Sequence, residues 1–199
     1  MFEVSSLPVK IGILALQGDF FEHYKVLQSI GITPHLVKLP GDLTGLSGLI
    51  IPGGESTTIG KLATEYGLIA PLQQFGRTHA IWGTCAGAII LSKDTRVDQP
   101  LLNLMDIQVE RNAFGRQVDS FEIDIPAHFL KDGEENPYHA VFIRAPIIKS
   151  VNGDAQAILR LSDGRIIAAR QGNLLATSFH PELTDDPRFH QYFVEIATS

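Results

Sequence analysis

The sequence predicts an α/β fold, a mostly parallel sheet with helices on both faces and antiparallel strands added in the second half. Two observations carry this. Over roughly the first ninety residues, short apolar runs rich in β-branched side chains alternate with segments of helical period, the signature of βαβ units. From about Gln108 onward, strand-like runs follow one another with turn signals between them. The chain of 199 residues is 44% hydrophobic, enough for a substantial core in one domain.

The first run, "VKIGILAL" (residues 9–16), reads as a buried strand, and "QGD" as the turn after it. "FFEHYKVLQSIG" follows with Phe20, Tyr24 and Leu27 at helical spacing and Gly31 as a stop. "PHLVKL" and "GLIIP" are the second and third strands. "TTIGKLATEYG" is a helix closing on Gly67, and "LIAPLQQFG" a short one. "HAIWG" is the fourth strand, with "AGAIILSK" as the helix behind it. Beyond these, "FEIDI", "HAVFIRAP", "AQAILRL", "RIIAAR" and "LLATSFH" read as strands. Ser-Asp-Gly between "AQAILRL" and "RIIAAR" signals a hairpin, and "QGN" a further turn. These later strands are expected to add antiparallel partners at the sheet edge. The last helix, "RFHQYFVEIA", places Phe189, Phe193 and Ile196 on one face. With no internal repeat or linker, residues 1–199 read as a single domain.

A net charge of −6 argues against binding nucleic acid or anionic lipid through non-specific attraction. No apolar run is long enough to span a membrane, and the start carries no export signal. One cysteine cannot form an internal disulfide, so Cys85 is expected to be a free thiol in a cytoplasmic protein.

Three stretches suggest chemistry. Gly83-Thr84-Cys85-Ala86-Gly87 has the form Gly-x-nucleophile-x-Gly between a strand and a helix. A lone cysteine is more often a small buried apolar residue. Here the flanking glycines permit a sharp turn, and the helix N-terminus behind it favours thiolate and can aim N–H groups at an oxyanion. His180-Pro181-Glu182 ends an apolar strand, at the sheet edge where α/β sites lie. In extended backbone the two side chains point the same way, so Glu182 can orient His180 as the third member of a triad. Pro52-Gly53-Gly54-Glu55-Ser56 follows the third strand, and its glycines can present backbone N–H groups to a ligand or transition state. A phosphate loop does not fit: five residues rather than four separate Gly54 from Gly60-Lys61, and Leu62 stands where Ser or Thr is needed. Neither a dinucleotide fingerprint nor a metal-ligand cluster is present. Arg111, Arg116 and Arg144 are suited to a substrate carboxylate, and a solvated face suits them equally well.

Together, Cys85 in its glycine frame, the Gly53-Gly54 turn and His180-x-Glu182 resemble the triad-type glutamine amidotransferases. The wording "LALQGDFFEH", "IPGGESTTIGKL", "WGTCAGAI", "VERNAFGRQ", "IRAP" and "FHPELTDDPRFH" is similar to the branch that serves as glutaminase subunits of pyridoxal 5′-phosphate synthase. The likeness runs from about Lys10 to Phe193, leaving the first eight residues as an expected frayed tail. It implies a three-layer α/β sandwich of flavodoxin-like type. It also implies L-glutamine as substrate, with Cys85 as nucleophile, His180 as base and Glu182 as orienter. Backbone N–H groups at Gly53, Gly54 and Ala86 would form the oxyanion site. Gly54, Glu55, Ser56, Arg111, Ile143 and Arg144 would hold glutamine. Ammonia would pass to a partner, a barrel-shaped synthase subunit, and this chain would carry no cofactor. The resemblance further implies weak activity until that partner docks. Two other readings compete: a glutaminase subunit serving another acceptor, and a Cys-dependent α/β hydrolase or thiol sensor that needs neither His180 nor Glu182. A catalytically silent binding subunit is disfavoured by the complete Cys-His-Glu set.

Overall fold

Four short strands are buried on both faces and run parallel at the centre of the molecule: β1 (Ile11–Leu14), β3 (Gly48–Ile51), β4 (Ala80–Thr84) and β12 (Leu174–Thr177). Such strands need helices on both sides, which is why they read as unbroken apolar runs rather than alternating ones. The computed structural model describes residues 9–95, 98–111 and 120–199. The expected tail over residues 1–8, Arg116 and most of "RNAFGRQ" lie outside the described residues.

The first half is doubly wound. β1 leads through α1 (Phe20–Ser29) to β2 (Pro34–Val37), which pairs parallel with β1. The chain then crosses to β3 on the other side of β1. α2 (Ser56–Glu65) and α3 (Ile69–Phe75) connect β3 to β4, and α4 (Ala86–Leu91) follows β4. Gly31 and Gly67, just beyond α1 and α2, have φ of 80° and 67°, as glycines after a helix end do.

The second half comprises β5 (Ser92–Asp94), β6 (Met105–Glu110), β7 (Ser120–Ile125), β8 (Tyr138–Ile143), β9 (Ile147–Val151), β10 (Gln156–Arg160), β11 (Ile166–Gln171), β12 and α5 (Arg188–Thr198). The main sheet runs β2-β1-β3-β4-β12-β11-β9-β6-β5, with β10 paired to β11 as an extra antiparallel strand. Side chains alternate into two cores. On one face Leu14, Leu49, Ile51 and Ile81 pack with Ile59, Leu72 and Ile89 of α2, α3 and α4. On the other, Ile13, Ile50 and Trp82 pack with Leu27, Phe189 and Phe193 of α1 and α5. The result is the expected sandwich of helices, sheet and helices.

Three details differ from the sequence expectation. β12 does not lie at an edge; it joins β4 in parallel, and β11 joins its other side in antiparallel, so it is the seam between the two halves. β7 and β8 leave the main sheet as a separate hairpin, whose Tyr138, Ala140 and Phe142 cover the core on the α1 and α5 side. β5, β6 and β9 were not anticipated, and α4 stops at Leu91 because Ser92 and Lys93 turn into β5. No helix among the described residues is long and apolar enough to cross a membrane.

Candidate active site

The C-terminal ends of β1, β3, β4 and β12 lie side by side, and the segment leaving each one carries a polar group toward the same place. This is where doubly wound sheets bind ligands, because the strand order reverses there and leaves a crevice. Thr84 is in register with Thr177, and the Cys85 N–H donates to the Thr177 carbonyl at 2.8 Å, so the ends of β4 and β12 are locked together.

Cys85 occupies the turn between β4 and α4 with φ 48° and ψ −105°. A non-glycine residue there is strained, by about 1–3 kcal/mol, and persists only where its surroundings over-determine it. Here they do. A Cβ on Gly87 would fall 2.0 Å from the Ile51 carbonyl oxygen, and one on Gly83 would fall 2.4 Å from the Gly87 backbone. The two glycines therefore let α4 press its first turn onto β3 and β4, which leaves Cys85 the unfavourable φ. Ala86 opens α4, so its N–H belongs to the first turn, whose donors have no partner within the helix.

Cys85 lies close enough to His180 to favour the charged imidazole, and His180 Nδ1 lies 2.7 Å from Glu182 Oε1. Burial opposes charge on His180. Its interactions with Cys85 and with the accepting Glu182 carboxylate outweigh it and raise the imidazole to about 11. Burial pushes the Glu182 carboxyl up, against the pull of His180. The contact forms across a 3-10 turn, Pro181–Leu183, rather than along extended backbone as the sequence suggested. Pro181 opens that turn because its ring presets φ. The His180 N–H donates to the Val141 carbonyl at 2.8 Å, which ties β8 to the site.

The Gly53-Gly54 turn packs directly on the imidazole. A Cβ on Gly53 would lie 2.7 Å from His180 Cε1, and Gly54 has φ 143°. Gln17 Oε1 accepts the Glu55 N–H at 2.8 Å, and the Asp19 N–H donates to the Gly53 carbonyl at 3.1 Å. Asp19 Oδ2 also stands 3.5 Å from His180 Nδ1. Gln17 and Asp19 belong to the "QGD" segment, which the sequence presents only as a turn.

Glu55 is the N-cap of α2: its carboxylate accepts the N–H groups of Thr57 and Thr58 and both their hydroxyls. The Thr57 hydroxyl and the other three donors hold its pKa at about 2 despite partial burial. Arg111 Nη2 lies 3.0 Å from Glu55 Oε1, so the structure brings these two predicted residues together. Ser56 is buried, with its hydroxyl donating to Gln99 Oε1 at 3.1 Å. Ile143 ends β8 and is exposed; Arg144 follows with φ 43° and is also exposed. The structure thus assembles Cys85, His180, Glu182, Gly53 and Gly54 in one place, and Glu55 with Arg111 beside them.

Two histidines passed over in the sequence lie behind the site. His23 on α1 and His190 on α5 are fully buried, with His23 Nδ1 2.8 Å from His190 Nε2. The inward face of α1 is thus His23 and Leu27, with Phe20 and Tyr24 only partly covered. A signal was present: His23 lies one helical turn before Leu27, and His190 follows directly on Phe189.

The family model of the SNO glutamine amidotransferases matches residues 13–199. The chain belongs to that family. Among curated relatives, a pyridoxal 5′-phosphate synthase subunit PdxT of Roseiflexus sp. is 54% identical over 190 residues, covering 94% of this chain and 99% of the relative. The protein of the same name from Thermus thermophilus is 50% identical, covering 94% of this chain and 97% of its own length. A crystal structure of a glutamine amidotransferase superposes with a TM-score of 0.88 at 48% identity, covering 95% of this chain and 99% of the other. The structure of PurLQS from Thermotoga maritima shares the fold, with a TM-score of 0.65 at 16% identity, covering 96% of this chain and 99% of the other. The amidotransferase wording read in the sequence and the family match therefore agree.

Proposed function

We propose that this chain is the glutaminase subunit of a pyridoxal 5′-phosphate synthase, acting as one glutamine amidotransferase domain in the cytoplasm. The observation that supports the mechanism is the 2.7 Å contact between the His180 imidazole and the Glu182 carboxylate, beside the turn that carries Cys85. Cys85 Sγ attacks the side-chain amide carbon of glutamine with its proton already held by His180, whose raised pKa keeps the imidazole charged. The new C–S bond makes a tetrahedral oxyanion, which N–H groups at Gly53, Gly54 and Ala86 stabilise. The C–N bond breaks as His180 returns the proton to the leaving nitrogen, which departs as ammonia. Water then attacks the γ-glutamyl thioester with His180 as base, releasing glutamate and restoring the thiol. Glu182 keeps the His180 ring oriented and stabilises the imidazolium at each stage.

Gly54, Glu55, Ser56, Arg111, Ile143 and Arg144 form the glutamine site. Ammonia passes to the barrel-shaped synthase subunit, and the naming of the relatives as synthase subunits supports that partner. The test combines this protein with the barrel subunit of the synthase and measures glutamate release from glutamine. Cys85→Ala is expected to abolish turnover while leaving the complex intact. Substantial glutaminase activity in that variant would overturn the mechanism. Full activity with an unrelated acceptor enzyme, and no stimulation by the barrel subunit, would overturn the assignment of partner.

A further inference from the structure

The catalytic scheme leaves one oxygen of Glu182 unexplained. Oε1 is held by His180, whereas Oε2 is buried and makes no hydrogen bond among the described residues. A bare carboxylate oxygen in such a place is costly unless a positive end of some dipole faces it. His23 Nε2 is that neighbour, 3.3 Å from Glu182 Oε2 and 3.1 Å from the Thr84 hydroxyl. One imidazole therefore touches both arms of the site: the acid behind His180 and the residue directly before Cys85.

The protons can be assigned from the partners. His190 Nδ1 is buried with no hydrogen bond, while His190 Nε2 faces His23 Nδ1 at 2.8 Å. If His190 carried its proton on Nδ1, an N–H would be buried without an acceptor. His23 would then have to donate from Nδ1, and its Nε2 lone pair, though able to accept from the Thr84 hydroxyl, would stand 3.3 Å from the lone pairs of Oε2. Placing the His190 proton on Nε2 removes both conflicts: His190 donates to His23 Nδ1, and His23 carries its own proton on Nε2. Burial depresses both imidazoles, His190 to about 3, so each is a neutral ring with one proton to place. Trp82 encloses the pair edge-on, with ring centroids 5.7 Å from His23 and 5.0 Å from His190.

We infer that His23 is a positioning residue for the Glu182 carboxylate: its Nε2–H, bonded to the Thr84 hydroxyl, sets its positive end 3.3 Å from the oxygen that His180 does not reach, and His190 holds it in that tautomer. The inference rests on the triad reading above. The titratable groups that face Glu182 are His180, Asp19, His23 and the Tyr138 hydroxyl; those that face His23 are His190, His180 and Glu182. Removing the N–H leaves Oε2 with no compensating dipole, so Glu182 binds a proton more readily and serves His180 less well.

The test uses the complex with the barrel subunit of the synthase and compares the wild type with Cys85→Ala, His23→Leu and His23→Gln. His23→Leu is expected to move the acid limb of kcat/KM upward by about one pH unit and to lower kcat roughly tenfold with little change in KM. His23→Gln, which keeps an amide N–H, is expected to recover most of both. An acid limb that stays in place in His23→Leu while only the melting temperature falls would overturn the proposal. Nitrogen-15 NMR of the wild-type histidines tests it without any variant: the proton of His23 is expected on Nε2, and a proton on Nδ1 would overturn it. The two readings fail separately. Turnover by Cys85→Ala overturns the triad itself. Inactive Cys85→Ala with an unmoved acid limb in His23→Leu overturns only the role of His23.

Discussion

Nδ1 of His180 and Oε1 of Glu182 stand 2.7 Å apart, and neither side chain is more than about 5% exposed. A contact this short between an imidazole and a carboxylate, sheltered from water, fixes the ring and its tautomer. The far nitrogen of the ring is thereby left with one defined direction, toward the turn that holds Cys85 in the proposed mechanism.

Glu182→Gln is the direct probe of that contact. The amide keeps the shape and removes the charge. It is expected to lower kcat by about 10²- to 10⁴-fold, the range in which a misoriented or unsupported base operates. Glutamate release in the presence of the synthase subunit measures it, and an unchanged kcat would remove Glu182 from the mechanism.

Stability should fall on the acid side earlier than carboxylates alone predict. His23 and His190 are held below their unfolded value of 6.5, His190 at about 3, so below 6.5 the unfolded chain binds protons that the folded chain refuses. The raised Glu182 carboxyl offsets part of this by taking up a proton in the folded state. A net difference of one proton gives a loss of about 1.4 kcal/mol per pH unit below about pH 6. His180 acts in the opposite range: its stabilisation is complete below 6.5 and is lost as the pH climbs toward about 11. Urea unfolding at a series of pH values reads the slope. His190→Phe should flatten the acid side by about one proton, and an unaltered slope would contradict the assignment.

Glu55 carries two duties that a single substitution separates. Glu55→Ala removes the cap of α2 and should cost about 0.5–2 kcal/mol in a thermal or urea melt. It also releases Arg111, 3.0 Å away, and should raise KM for glutamine more than it lowers kcat, as loss of ground-state binding does. Arg111→Ala should show the same kinetic pattern with little loss of stability. An unchanged KM in both would place the pair outside the glutamine site.

Gly87→Ala tests the turn under the nucleophile. The added Cβ would meet the Ile51 carbonyl at 2.0 Å, and backbone cannot swing aside as a side chain can. A loss of about 3 kcal/mol or more is expected, with slower alkylation of Cys85 in whatever folds. A stable variant with normal Cys85 reactivity would show that α4 and β3 need not pack so closely.

Much of this architecture was legible in the sequence because it is local. The apolar runs of β1, β3 and β4, the glycines after α1 and α2, and the Ser-Asp-Gly hairpin each declare themselves within a few residues. So did the thiol and the His-x-Glu, because a strand end followed by small residues or proline is a local pattern. The position of β12 was not legible: its hairpin with β11 is local, but its parallel partner β4 is distant, and nothing in its own period names that partner. The strands β7 and β8 were legible, but their departure from the main sheet was not, since nothing in their own period names the surface they pack on. His23 and His190 escaped because a polar side chain on an apolar helical face looks like an interruption of the pattern. Only the tertiary packing of α1 against α5 turns the two interruptions into a pair.

The seating of β12 beside β4 has a consequence for how the protein comes into being. Nearly half the chain is synthesised between Cys85 and His180, so the proposed nucleophile leaves the ribosome long before its proposed base exists. Neither strand can complete the centre of the sheet until the other arrives, and such distant pairings form slowly. Reactive chemistry is thereby the last thing assembled: a truncated or half-folded chain holds a thiol with no imidazole beside it, and glutamine is safe from it.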